Sequence, residues 1–198
     1  YQLTIEPGTR FAALHAAGKF TPLDPDTAAD MFEVTAEVTD AAGLPAYEIS
    51  NHARAGPGSR HNLTYWRYGD YAGVGPGAHG RRLGQRTVRH RKPENFLAAV
   101  IRNGHGMVEE APLSPLEAAD EALVMGLRMR EGINPDAIAR RFGLSHLLNE
   151  TAVARLTASG HLERRGTHLR TTARGRLLLD HILGKIADPQ LPVSSLVE

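Results

Sequence analysis

The sequence predicts an α/β portion followed by a small, mostly helical domain, and three observations carry that prediction. A strictly alternating run at residues 1–6 and a second strand-like run at 46–50 flank a helical apolar stripe, the pattern of a βαβ unit with parallel strands. Residues 51–92 then lose all periodicity and fill with Gly, Arg, His and aromatic side chains. From residue 93 onward helical spacing returns, broken by one hairpin signature. These changes divide the chain into residues 1–92, a connecting helix and linker at 93–112, and a C-terminal domain at 113–198.

In the first strand Tyr1, Leu3 and Ile5 fall on one side and Gln2, Thr4 and Glu6 on the other, and Pro7, Gly8 and Thr9 turn the chain. Asp24 is placed as an N-cap with Pro25 at the first helical position. Met31, Val34, Val38 and Ala41 make the apolar stripe of that helix, carboxylates line its other face, and Gly43 ends it. The second strand follows at 46–50. Pro93 opens a helix carrying Phe96, Leu97, Val100 and Ile101, stopped by Gly104. Ser114, Pro115 and Glu117 form a capping box that opens a helix to about Arg130. Asn134 and Pro135 open another, stopped by Gly143, and Ser145 is expected to cap a third running to about Ser159. Residues 161–172 read as a hairpin turning near Gly166, and Leu177, Leu178, Ile182, Leu183 and Ile186 place a last helix. Three helices, a hairpin and a helix predict a winged-helix-like module.

With 198 residues the chain can bury one large core or two small ones. No apolar run approaches the roughly 18 residues of a transmembrane helix, and no signal peptide is visible. Cysteine is absent, which excludes disulfides, thiolate metal sites and cysteine nucleophiles in this chain and is compatible with a cytoplasmic location. A strand that starts at the first residue, with no initiator Met, raises the expectation of a chain cut from something longer, a processed terminus being the alternative. Charge is segregated: residues 1–51 carry a net −6 and residues 52–92 a net +8. A basic block of that kind is a folded complement to the acidic one or an anion-binding surface.

The chemistry concentrates in the aperiodic stretch. Gly75, Gly77 and Gly80 satisfy the dinucleotide-binding spacing, but no amphipathic helix follows to receive a pyrophosphate, so a tight turn is the better expectation. Upstream, residues 59–66 read SRHNLTYW. His61 is a potential axial iron ligand, and Asn62, Tyr65 and Trp66 surround it with polar and flat apolar groups. Arg54, Arg60, Arg67, Arg81 and Arg82 are candidate partners for carboxylates such as heme propionates. On composition alone a purely structural role for a single loop histidine is the commoner outcome.

Residues 46–80, AYEISNHARAGPGSRHNLTYWRYGDYAGVGPGAHG, together with YQLTIEPGTRF, LSPLEAADEALVMGLRMREG and LRTTARGRLLLDHIL, closely resemble the oxygen-independent coproporphyrinogen oxidase family of radical-SAM proteins, and most of all its heme-chaperone branch. The resemblance covers essentially the whole chain. It implies a parent with an open, partial TIM-like barrel whose last two strands are residues 1–6 and 46–50. It further implies heme as ligand, heme-acceptor proteins as partners, and a heme-binding HNxxYW motif here formed by His61, Asn62, Tyr65 and Trp66, with Arg60 beside it and His61 toward the iron. His79 belongs to the GPGAHG segment that marks the branch and is a possible pocket residue or a turn-stabilising one. Glu6 and Glu48, at the carboxyl ends of the expected strands, are candidates for the S-adenosylmethionine (SAM) or substrate side, with salt bridges to the basic block an equal alternative.

The departure from the family pattern is the missing cysteine triplet. Without it the chain cannot ligate the [4Fe-4S] cluster, and the expectation is that cluster and SAM belong to an N-terminal barrel half in the parent. The competing enzyme reading is a coproporphyrinogen III oxidase carrying out radical oxidative decarboxylation, an activity this chain should lack alone. A third, a nucleic-acid-binding winged helix using Arg164, Arg165, Arg170, Arg174 and Arg176, is disfavoured because the third helix lacks a basic reading face.

Overall fold

A computed structural model of the chain describes residues 3–54, 56 and 58–188. It is a mixed α/β structure that divides into two compact units, Tyr1–Gly56 and Pro57–Glu198.

In the first unit, helix α1 (Arg10–Ala16) is capped by Thr9, whose hydroxyl accepts from the Ala12 amide at 3.3 Å. Helix α2 (Pro25–Ala41) starts where the sequence places it. Asp24 accepts from the Thr27 amide at 2.9 Å and from the Thr27 hydroxyl at 2.6 Å, which holds its carboxyl below the ordinary aspartate range. The apolar stripe of α2 is exposed: Met31, Val34 and Val38 each keep more than half of their surface.

The two expected strands are not formed among the described residues. Residues 3–6 carry no ladder, and residues 1 and 2 lie outside the description. Residues 46–50 form part of a hook, in which Ala46 bridges His52, Tyr47 donates to the Asn51 carbonyl and Ala53 to the Pro45 carbonyl. Alternation assigns side chains to faces but does not supply the hydrogen-bonding neighbour that makes a strand. No closed barrel is present among the described residues.

The second unit opens with helix α3 (Arg60–Trp66), in the stretch expected to be irregular. Strands β1 (His79–Arg82) and β2 (Gln85–Arg89) form a hairpin; helix α4 (Pro93–Asn103) and strand β3 (Met107–Pro112) follow. The sheet is antiparallel in the order β1-β2-β3. Leu83 and Gly84 turn the hairpin with φ of 52° and 71°, the positive pair a two-residue primed turn requires. The strands escape detection because their buried positions are held by Gly80, Arg81 and Thr87 rather than by large apolar side chains.

Helix α5 (Pro115–Leu127) carries the expected capping box, with Ser114 Oγ accepting from the Glu117 amide at 3.2 Å and Glu117 accepting from the Ser114 amide at 2.8 Å. Helix α6 (Pro135–Phe142) ends at Gly143 as read. Helix α7 (Glu150–Ala158) is capped by Asn149, not by Ser145. Residues 145–149 instead form an irregular segment held by the burial of Leu147 and Leu148 and by the bridge from Leu148 to Ala187. Strands β4 (Leu162–Arg165) and β5 (His168–Thr171) form the hairpin around Gly166, and the last helical segment splits into α8 (Ala173–Arg176) and α9 (Leu179–Ile186). Leu123, Leu127, Leu162, Leu169, Ile182 and Ile186 are fully buried and make the core of this module. Truncating one of them to Ala would cost about 2–5 kcal/mol.

Candidate functional site

At seven residues α3 is too short to persist on its own and is held by what surrounds it. Tyr68 immediately follows, with φ of 54° and only 5% of its surface exposed, packed among Ala118 and Ala122 of α5 and Phe142 of α6. The Arg81 guanidinium stacks 3.4 Å from the centre of the Tyr68 ring, bonds Glu121 of α5 at 3.2 Å and donates to the Gly69 carbonyl at 3.1 Å. The Tyr68 hydroxyl donates to the same Glu121 oxygen at 2.8 Å. Burial and then the Glu121 carboxylate push the Tyr68 phenol well above its ordinary range. Arg141 of α6 donates to the Tyr68 carbonyl at 3.1 Å. This buried knot fixes the end of α3 against α5 and α6.

The motif spacing is explained by the helix. His61 and Tyr65 stand four residues apart on one face, and Asn62 and Trp66 stand four apart on the next. His61 is exposed. The Tyr65 hydroxyl lies 2.6 Å from His61 Nε2 and 3.3 Å from Nδ1, with the two rings edge-to-face at 4.7 Å. Tyr65 leans on Tyr71 in a second edge-to-face contact at 4.5 Å. Tyr71 pairs its backbone with Arg81 through bonds of 2.7 and 3.0 Å, and burial raises its phenol pKa. Trp66 is half-buried with the Arg128 guanidinium 5.3 Å from its ring, and its Nε1 has no hydrogen-bond partner among the described residues.

The remaining sequence candidates are dispersed. Arg60 is exposed at the start of α3 and forms no ion pair among the described residues. Arg67 and Arg81 are already engaged, the first in a two-bond pair with Glu131 at 2.8 Å and the second in the knot, so neither is a free cation. His79 is exposed on β1 opposite Val88 and shares no hydrogen bond or ring contact with His61 among the described residues. In the first unit Glu6 is exposed. Glu48 is 1% exposed and accepts from the Ser50 amide at 3.2 Å and from the Asn51 side chain, so its carboxylate closes its own hook.

The glycine-rich segment leads into strand β1, not into a helix, which removes the dinucleotide geometry. Its glycines serve close packing: a Cβ on Gly80 would stand 2.7 Å from Thr87 Oγ1 and 2.9 Å from the Gly73 nitrogen. Of the hairpin arginines, Arg164 pairs with Glu150, and Arg165 and Arg170 pair with Glu163. A groove lined by Asn149, Thr151, Ala152, Arg155, Leu156 and Lys185 lies along α7 and includes no residue of the motif.

Sequence reasoning missed Glu121 and Asp120. No motif in the sequence marks them, and Glu121 neighbours the Ala118 and Ala122 positions that seat Tyr68. Asp120 is 3% exposed, and burial, with Glu121 adding to it, pushes its carboxyl from 3.8 up to about 6.

A family model described as the HemN C-terminal domain matches residues 113–178. The chain belongs to the HemN/HemW-like family of radical-SAM proteins. Within it, the chain is 43% identical over 141 residues to the mitochondrial radical S-adenosyl methionine domain-containing protein 1 of Mus musculus, covering 67% of this chain and 32% of that protein. It is 34% identical over 145 residues to the heme chaperone HemW of Bacillus subtilis, covering 73% of this chain and 38% of the relative. The solved structure of the radical-SAM coproporphyrinogen III oxidase HemN from Escherichia coli matches with a TM-score of 0.63 at 15% identity, over 87% of this chain and 44% of the other, a likeness of fold. The chain spans less than half the length of the curated relatives it matches. Among the described residues no helix is long and apolar enough to cross a membrane.

Proposed function

We propose that this chain is the C-terminal part of a heme-chaperone-like radical-SAM protein, and that it holds heme for delivery to acceptor proteins with His61 toward the iron. The observation that carries this is the exposed His61 imidazole on α3, braced by Tyr65 and anchored through Tyr68 and Arg81. The donor set fits an iron porphyrin: the exposed His61 imidazole, whose Nε2 must first leave the Tyr65 hydroxyl, aromatic surface from Tyr65 and Trp66, and, for a propionate, Arg60, which forms no ion pair among the described residues. Bound there, heme would be held through the His61 imidazole and would supply the iron porphyrin that is passed to acceptor proteins. Asn62 completes the motif beside Trp66, and His79 is assigned to the edge of β1 as a secondary contact.

The residues present do not fit an iron–sulfur cluster, because the chain has no cysteine. Cluster and SAM are therefore assigned to an N-terminal barrel half of the parent. Residues 1–6 and 46–50 would gain sheet neighbours there, and Glu6 would lie on the SAM or substrate side, whereas Glu48 is given the local role its hydrogen bonds describe. Residues 1–92, 93–112 and 113–198 are taken as barrel end, connector and winged-helix-like module; the family match from residue 113 and the helix-hairpin-helix order support the last of these, whereas the compact units divide between Gly56 and Pro57. A cytoplasmic placement is part of this proposal, and several relatives are named mitochondrial.

The second reading is a coproporphyrinogen III oxidase; the HemN match, at 15% identity, speaks for the fold alone and does not favour that activity. Ferric heme titrated into the full-length protein and its His61→Ala variant separates the possibilities. The expected result is a shifted Soret band and at least tenfold weaker binding in the variant. Unchanged band and affinity would remove His61 as ligand. Conversion of coproporphyrinogen by the cluster-loaded protein with SAM would favour the oxidase.

A further inference from the structure

The relation between Tyr65 and His61 carries an inference that rests on the heme-ligand reading and concerns its control. We propose that Tyr65 is a positioning residue that gates the His61 imidazole, so that iron reaches Nε2 only when the phenol gives it up.

The Tyr65 hydroxyl sits 2.6 Å from Nε2 and 3.3 Å from Nδ1. In one tautomer Nε2 carries the proton and donates to the phenol oxygen; in the other Nε2 is bare and accepts the phenol proton. Either way the nitrogen nearest the hydroxyl has no free lone pair for a metal. Coordination at Nε2 exchanges that hydrogen bond for an iron–nitrogen bond and requires Tyr65 or His61 to turn away.

Tyr65 is not a loose surface side chain. It is half-buried, its ring meets Tyr71 edge-to-face at 4.5 Å, and Tyr71 is paired through its backbone to Arg81. Arg81 is in turn clamped to Glu121 and lies 5.5 Å from the Tyr71 ring. His61, by contrast, is exposed and has Tyr65 as its ring neighbour. The braced partner is the phenol and the movable one is the imidazole. The hydroxyl therefore competes with iron for the same nitrogen from a fixed position.

For a protein that must release its cargo this competition has a direct use. A net hydrogen bond of ordinary strength held in the free protein weakens ligation by roughly two- to tenfold, and recapture of the imidazole favours departure of the heme. The gate thus trades affinity for ease of transfer.

Tyr65→Phe tests this, since it removes the hydroxyl and keeps the ring that contacts Tyr71. In the full-length protein the variant is expected to bind ferric heme roughly two- to tenfold more tightly and to release it more slowly to an excess of apomyoglobin. In the heme-free protein, the imidazole nitrogen resonances of His61 are expected to lose the signature of the hydrogen bond while the remaining amide spectrum stays in place. Unchanged or weaker heme binding in Tyr65→Phe, or unaltered His61 nitrogen resonances, would overturn the gate. The underlying reading fails separately, if His61→Ala keeps the wild-type Soret band and affinity.

Discussion

Asp120 illustrates what a single buried group does to the energetics of this fold. Its carboxyl has almost no exposed surface and titrates near 6, whereas in the unfolded chain it titrates near 3.8. Between those values the folded state holds a proton that the unfolded state has lost, so this group's contribution to stability falls as pH rises from about 4 to about 6. Above that window the penalty for the buried charge is fully present. Asp120→Asn is therefore expected to stabilise the protein at pH 7 by about 2 kcal/mol, with the gain shrinking toward zero at pH 4. Guanidinium denaturation at the two pH values measures it, and a gain independent of pH would contradict the assignment. Nothing in the sequence marks Asp120 as buried, because the distinction is made by helix packing. His61, Asn62, Tyr65 and Trp66 could be singled out because the HNxxYW segment resembles the family motif; without that likeness a single histidine in an aperiodic stretch reads as structural. That Tyr65 engages His61 could not be foreseen, since the helix that sets them face to face was itself unrecognised.

At the scale of elements, the helices that announce themselves with caps are the ones the sequence locates well. Asp24, Ser114 and Asn134 each place a helix start where their side chains accept the expected amide. Ser145 misleads because the buried pair Leu147 and Leu148 outweighs its capping preference. The β1-β2-β3 sheet and α3 were illegible for a different reason. The buried positions of β1 and β2 are occupied by Gly, Arg and Thr, and α3 and β3 bury none of their residues, so no hydrophobic period marks them. The close packing there gives a sharp prediction. Gly80→Ala would drive a methyl into Thr87 and the Gly73 backbone, with an expected cost of about 1–3 kcal/mol and faster exchange of the Tyr71 and Arg81 amides. A variant as stable as the parent, with those amides equally protected, would show that the turn relaxes freely.

Over the whole molecule, what stands out is the exposure of surfaces that the sequence marks as buried. Met31, Val34 and Val38 form a helical stripe with the spacing of a core face, yet each is more than half exposed, and residues 3–6 alternate without a ladder. Both features are expected to find partners in the longer parent proposed here. Met31 should then resist peroxide oxidation in the full-length protein and oxidise readily in the 198-residue chain. Equal oxidation in both would contradict an N-terminal half seated on α2. The mixed α/β class and the helical C-terminal module were legible because patterning and caps are local, whereas the runs at 3–6 and 46–50 form no ladder among the described residues, since alternation alone does not supply a hydrogen-bonding neighbour.

The most direct measurement of the central claim is the electron paramagnetic resonance spectrum of the ferric-heme complex of the full-length protein, compared with that of its His61→Ala variant. Coordination by the α3 imidazole predicts a histidine-ligated signal in the wild type that disappears in the variant. The same signal in both proteins would contradict it.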